Sequence, residues 1–146
     1  MSRGLRNNNP GNIRKSPTVW QGEKTPSTDP AFKQFTSMAY GYRAMLKLLQ
    51  NYSRLNGCKT IRQMINRWAP PSENNTDNYI RAVCAGSGVQ PDQVVDVNNR
   101  SVMCRIAAAM SRVENGIPAD MVDVNRGWDL LTNCLLYTSD AADDKA

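Results

Sequence analysis

NRSVMCRIAAAMSRVENG, residues 99–116, decides the fold. Val102, Ile106, Ala109, Met110 and Val113 recur at three- and four-residue steps, which puts them on one face of a helix. Ala107, Ala108 and Ala109 keep that helix thin enough for close packing. The spacing predicts a helix from about Asn99 to Val113. Glu114-Asn115-Gly116 ends it, because Asn and Gly accept the left-handed conformation of a helix C-cap. A chain organised around such a segment packs helix on helix.

The same period extends in both directions. From Ser37 onward, Ala39, Tyr42, Met45, Leu46, Leu49 and Tyr52 repeat at helical spacing until Gly57. Thr60 is an N-cap for a second helix carrying Ile61, Met64, Ile65 and Trp68, stopped by Pro70-Pro71. Asn75 or Thr76 caps a third, with Tyr79, Ile80 and Val83 inward and Gly86 and Gly88 at its end. A short helix is expected at Pro91, and Pro118 opens a last one through Trp128 and Leu131. Trp68 and Ile106 are expected in the core.

Before Ser37 the pattern differs. Residues 1–14, MSRGLRNNNPGNIR, carry turn chemistry throughout, since Asn side chains bond nearby backbone and Gly11 permits positive φ. Val19 to Phe35 reads as a β-hairpin, with Val19–Gly22 and Ala31–Phe35 on either side of a Pro/Ser/Thr/Asp turn. The fold class is therefore α+β, mostly helical, with one small hairpin.

Composition narrows the chemistry. The chain has 146 residues, enough for one domain with a real core. Its 18 Lys+Arg against 13 Asp+Glu give a net charge of +5, which suits a polyanionic partner. No arginine-rich recognition helix or glycine-aromatic RNA motif accompanies the charge, so no specific nucleic acid is expected. The chain contains no His. That removes Ser-His and Cys-His nucleophilic pairs and the usual catalytic zinc sites, leaving carboxylates for any hydrolytic step. Cys58, Cys84, Cys104 and Cys134 form no CxxC pair, so neither a metal nor another cofactor is expected. No apolar run is long enough for a membrane span, and residues 1–14 do not read as a signal peptide.

Residues 134–146 depart from the helical pattern and end in acidic low-complexity sequence. They back-translate without a mismatch into a transposon-end adapter used for sequencing libraries. The reading is adapter read-through, with the domain confined to 1–133 and the natural C-terminus missing. Without those residues the net charge is about +7.

Three phrases together resemble the lysozyme superfamily of peptidoglycan-degrading proteins. They are Asn8-Asn9-Pro10-Gly11-Asn12-Ile13-Arg14, Trp20-Gln21-Gly22 and Phe32-Lys33-Gln34-Phe35-Thr36-Ser37, leading into a long helix. Their order is similar to the Asn-x-x-Gly-Ile-Lys, Trp-x-Gly, Phe-x-x-Tyr-x-Ser order of flagellar-type glucosaminidases. RGLRNNNPGNIR and RWAPPSENNTDNYI also resemble small phage and prophage proteins described as virion structural proteins or lytic enzymes. The muralytic protein of enveloped double-stranded RNA phages is one relative of that kind. The glucosaminidases carry their catalytic Glu upstream of the Asn-rich phrase, at the end of an Ala-rich helix. Here the matching phrase, Ala107 to Gly116, comes late. The resemblance thus implies a circularly permuted lysozyme-like domain with Glu114 on the displaced helix.

That resemblance implies a phage lytic enzyme of endolysin type, a lysozyme or lytic transglycosylase acting on bacterial peptidoglycan. A same-fold endopeptidase and a non-enzymatic virion protein binding peptidoglycan are the alternatives. The protein is then expected in the virion, with other virion proteins as possible partners, or in the host cytoplasm with release to the cell wall. Glycosidic cleavage needs a carboxylic acid whose ionised form is disfavoured, by apolar neighbours or by a helix C-terminus. Glu114 is the expected general acid. Glu23, beside the Trp20 phrase, is the expected second catalytic carboxylate, with Asp29 and Glu73 behind it as a turn former and a helix-start charge. Asn9 and Asn12 are expected to bond acetamido groups, Trp20 to wall a cleft, and Tyr79 to stack on or orient a sugar.

Overall fold

The computed structural model describes residues 1–133, and the expectation for the tail lies outside them. The chain is α+β and mostly helical. A single turn, α1 (Arg3–Arg6), precedes two short strands, β1 (Glu23–Lys24) and β2 (Gln34–Phe35). Five helices follow: α2 (Met38–Asn56), α3 (Ile61–Trp68), α4 (Thr76–Ser87), α5 (Arg100–Asn115) and α6 (Met121–Asn133).

Each long helix starts where a side chain can take an orphan N–H. Ser37, Thr60, Asn75 and Asn99 are the N-caps of α2 to α5, accepting from Tyr40, Gln63, Asn78 and Val102. Gly57, Gly88 and Gly116 end α2, α4 and α5 with positive φ. No helix among the described residues is long and apolar enough to cross a membrane.

The core forms between α2 and α5, closed by α4 on one flank and α6 on the other. Tyr42, Met45, Leu46 and Leu49 of α2 are fully buried, as are Met103, Ile106, Ala107 and Met110 of α5. The buried face of α5 is thus rotated from the expected one. Met103 and Ala107 point inward, whereas Val113 is 38% exposed. At Gly127 a Cβ would meet the Tyr42 Cβ at 2.7 Å and the Arg43 N at 2.9 Å, so only glycine lets α6 cross α2 this closely. Ile106 is 1% exposed, and Ile106→Ala is expected to cost about 3 kcal/mol or more through the cavity left behind. Urea denaturation checks this, and a loss below about 1 kcal/mol would refute the assigned face.

Three expectations are corrected. Pro91 starts no helix. The segment is drawn into extended contact instead, with Thr60 bridging Val94 and the Val95 N–H donating to the Lys59 carbonyl at 2.8 Å. Trp68 is half-buried at the edge of the core, its ring edge-on to Tyr52, while Trp20 and Trp128 are the tryptophans sealed inside, at 3% and 5% exposure. The hairpin is also smaller than its sequence suggested. Glu23 pairs with Phe35 and Lys24 with Gln34 in antiparallel register. The start of the second strand region pairs instead with residues 13–15, where Lys33 N–H donates to the Ile13 carbonyl and Lys15 N–H to the Ala31 carbonyl, and side chains hold the rest of that lobe.

Candidate functional site

The Asn-rich turn is a rigid piece built from its own carboxamides. Asn9 is fully buried, its Nδ2 donating to the Ile13 and Lys33 carbonyls at 2.9 Å each and its Oδ1 accepting from the Ile13 N–H. Asn8 and Asn12 both take φ +51°, the left-handed region that Asn tolerates better than most residues. The turn lies directly on α2. A Cβ on Gly41 would come within 2.2 Å of the Asn8 carbonyl oxygen, so this contact requires glycine.

The hairpin lobe pins the turn from its other side. Arg3 donates to both oxygens of Asp29 at 2.7 Å, and Asp29 also accepts from the Asn7 side chain and the Ala31 and Phe32 N–H groups. The Arg3 guanidinium, helped by these other donors, holds the Asp29 carboxyl far below the usual carboxylate range. Asp29 is therefore the turn former that its position suggested.

Held this way, Asn12 reaches the end of α5. Its Nδ2 donates to Glu114 Oε1 at 2.9 Å. From α4, the Tyr79 hydroxyl donates to Glu114 Oε2 at 2.8 Å. Tyr79 is 7% exposed, and burial first, then the adjacent Glu114 charge and the hydrogen bond to it, raise its hydroxyl well above the ordinary tyrosine value. It therefore stays a protonated donor at any physiological pH. Each Glu114 oxygen thus has its own donor, from chain segments 102 and 35 positions away.

Glu114 and Tyr79 line a groove of about 350 Å³ together with Asn74, Asn75, Asn78 and Val113. Glu114 is the one carboxylate among those lining residues. Asn74 Nδ2 donates to the Pro70 carbonyl, Asn75 Oδ1 accepts from the Asn78 N–H, and Asn78 Oδ1 accepts from Arg81. That leaves Asn74 Oδ1 as an acceptor and the Asn75 and Asn78 amides as donors, the pairing an acetamido group needs. Asn74 and Asn75 belong to the phrase from which Glu73 had been singled out, and it is these two neighbours that line the groove. Asn78 carries no motif of its own, but its three-residue spacing from Asn75 puts both on one side of the α4 start.

The other expected site residues lie elsewhere. Glu23 is corrected from a cleft carboxylate to half of a buried ion pair. It accepts from Lys33 Nζ at 3.0 and 3.1 Å and from the Trp20 N–H at 3.0 Å, with 6% of its side chain exposed. Lys33 is 2% exposed and also donates to the Ser16 and Thr18 carbonyls. Trp20 is core and cannot wall a cleft, and fully buried Asn9 cannot meet a substrate. Of the expected residues, the fold brings Asn12, Tyr79 and Glu114 together.

No established family profile matches the chain. Over 132 residues it is 35% identical to Protein P5 of Pseudoalteromonas phage PM2, an alignment covering 88% of this chain and 81% of that protein. A relative this close along nearly the whole length shares its ancestry, and the chain belongs to the phage protein family of Protein P5 of phage PM2.

Proposed function

We propose that the protein cuts the glycan strand of bacterial peptidoglycan, with Glu114 as the proton-transferring group. The observation that carries this reading is the clamped carboxylate at a helix end, beside a carboxamide-lined groove. Glycan strands carry an acetamido group on every sugar, and Asn74, Asn75 and Asn78 have the hydrogen-bonding capacity to hold one.

The permuted order of the lysozyme-like phrases is also supported by geometry. Ser2 Oγ donates to Asn115 Oδ1 at 2.6 Å, so the end of the Glu-bearing helix touches the segment leading into the Asn-rich turn. The spatial succession of helix end, then Asn-rich turn, is thus the succession the glucosaminidases have along their chain. On this reading the domain is lysozyme-like and acts from the virion, or from the host cytoplasm after release to the cell wall.

A lone carboxylate favours transglycosylation over hydrolysis. The step starts from the protonated carboxyl, in which Oε1 keeps the Asn12 amide and the Tyr79 hydroxyl turns from donor to acceptor for a proton on Oε2. Glu114 gives this proton to the glycosidic oxygen as the C1–O bond breaks. The resulting carboxylate then takes the proton of the muramyl 6-hydroxyl while that oxygen bonds to C1. An anhydro-muramyl end forms, Glu114 regains its proton, and no water is consumed.

Mass spectrometry of digested sacculi tests this reading. Anhydro-muramyl ends are expected. Reducing muramyl ends would make the protein a hydrolase, and intact strands with cut peptide stems a peptidase. Undigested sacculi that retain the protein would leave it a non-enzymatic binding protein of the virion.

A further inference from the structure

A second cavity, of about 490 Å³, lies where the C-terminal half of α2 meets the end of α3. Leu48, Asn51, Tyr52, Leu55, Asn56 and Arg67 line it, and none of these lines the Glu114 groove. Asn51 is 5% exposed, yet its Nδ2 is buried without any hydrogen-bond acceptor among the described residues. An unpaired donor so deeply buried costs free energy in the folded protein and calls for a partner. Beside it the Arg67 guanidinium stands 5.2 Å from the Tyr52 ring centroid, with no ion pair to a carboxylate among the described residues. Trp68 packs edge-on against the same tyrosine ring, so this wall is rigid.

We propose that this cavity binds the free C-terminal carboxylate of a short peptide ending in a small apolar side chain. No Asp or Glu lines it, and its polar groups are one guanidinium, the carboxamides of Asn51 and Asn56 and the Tyr52 hydroxyl. That set matches a monoanion: the planar guanidinium pairs with a carboxylate through two parallel N–H donors, and a turn of the Asn51 carboxamide that brings its buried Nδ2 to the cavity supplies a third. A doubly charged phosphate calls for more than the one cation present. Leu48 and Leu55 leave an apolar flank for the last side chain, with Leu55 60% exposed in the free protein. Asn56 offers a carboxamide to the preceding peptide group. The proposal does not depend on the chemistry of Glu114.

Titrating the 15N-labelled protein with acetyl-alanyl-alanine, as the free acid and as its C-terminal amide, tests this. The free acid is expected to shift the Asn51 side-chain amide and the signals around Tyr52 and Arg67 saturably. The amide should bind at least tenfold more weakly. Arg67→Gln changes an exposed side chain, keeps the fold, and should weaken the free acid tenfold or more. Asn51→Leu should do the same by removing the buried donor, and Arg67→Gln alone decides the matter if that variant does not fold. Equal binding of acid and amide, an unchanged response in Arg67→Gln, or equal competition by inorganic phosphate would each overturn the proposal. So would an absence of saturable shifts at these signals.

Discussion

Glu114→Gln is expected to lower the clearing of peptidoglycan suspensions by about 10² or more while leaving the melting transition nearly unchanged. The amide keeps the size and shape of the carboxyl group but carries no proton to transfer. It also stays satisfied where it stands. Its oxygen still accepts from one of the two donors, and its NH2 needs an acceptor in place of the other. Both neighbours can supply one. The Tyr79 hydroxyl can rotate, and Asn12 has a buried Oδ1 with no hydrogen-bond partner among the described residues that a turn of its amide would present. Turbidity decay and thermal melting on the same preparation check the two halves of this expectation. Unchanged clearing would remove Glu114 from the chemistry and leave the groove as a binding feature.

Glu23→Gln is expected to do the opposite, costing about 3–5 kcal/mol of stability while the molecules still folded keep their activity. The substitution leaves the Lys33 ammonium in a site 2% exposed, with carbonyl acceptors but no countercharge. Replacing both partners, as Glu23→Gln with Lys33→Met, should recover much of the loss, because the uncompensated charge is gone. Denaturant unfolding of the three variants, with activity measured well below each melting point, separates structure from catalysis. Lost activity in a stable Glu23→Gln protein would return this residue to the reaction.

The helical part of the molecule was legible because its signals are local. Caps at Ser37, Thr60 and Asn99, and left-handed glycines at 57, 88 and 116, sit in the sequence where the structure uses them. The hairpin was legible too, but the ion pair buried in its lobe was not, since Lys33 and Glu23, ten positions apart, look like two solvated charges until the chain folds them together. Trp20 misled for a related reason, because a tryptophan in a turn-rich stretch gives no period from which to infer burial. The Pro91 segment resembled a helix start, but its backbone groups find partners at Lys59 and Arg62 instead. At the site, Glu114 and Tyr79 were visible one at a time. Their hydrogen bond, and the turn of Asn12 toward Glu114 rather than outward, exist only in three dimensions.

The 102 positions between Asn12 and Glu114 also set when the groove can exist. During synthesis the Asn-rich turn leaves the ribosome first and waits for α4, then α5, to follow. Closing so long a loop is entropically slow, and the reward comes only when the last helices dock. A nascent chain therefore holds its three clamp residues apart until α5 has emerged, however early the Asn-rich turn and α4 are made.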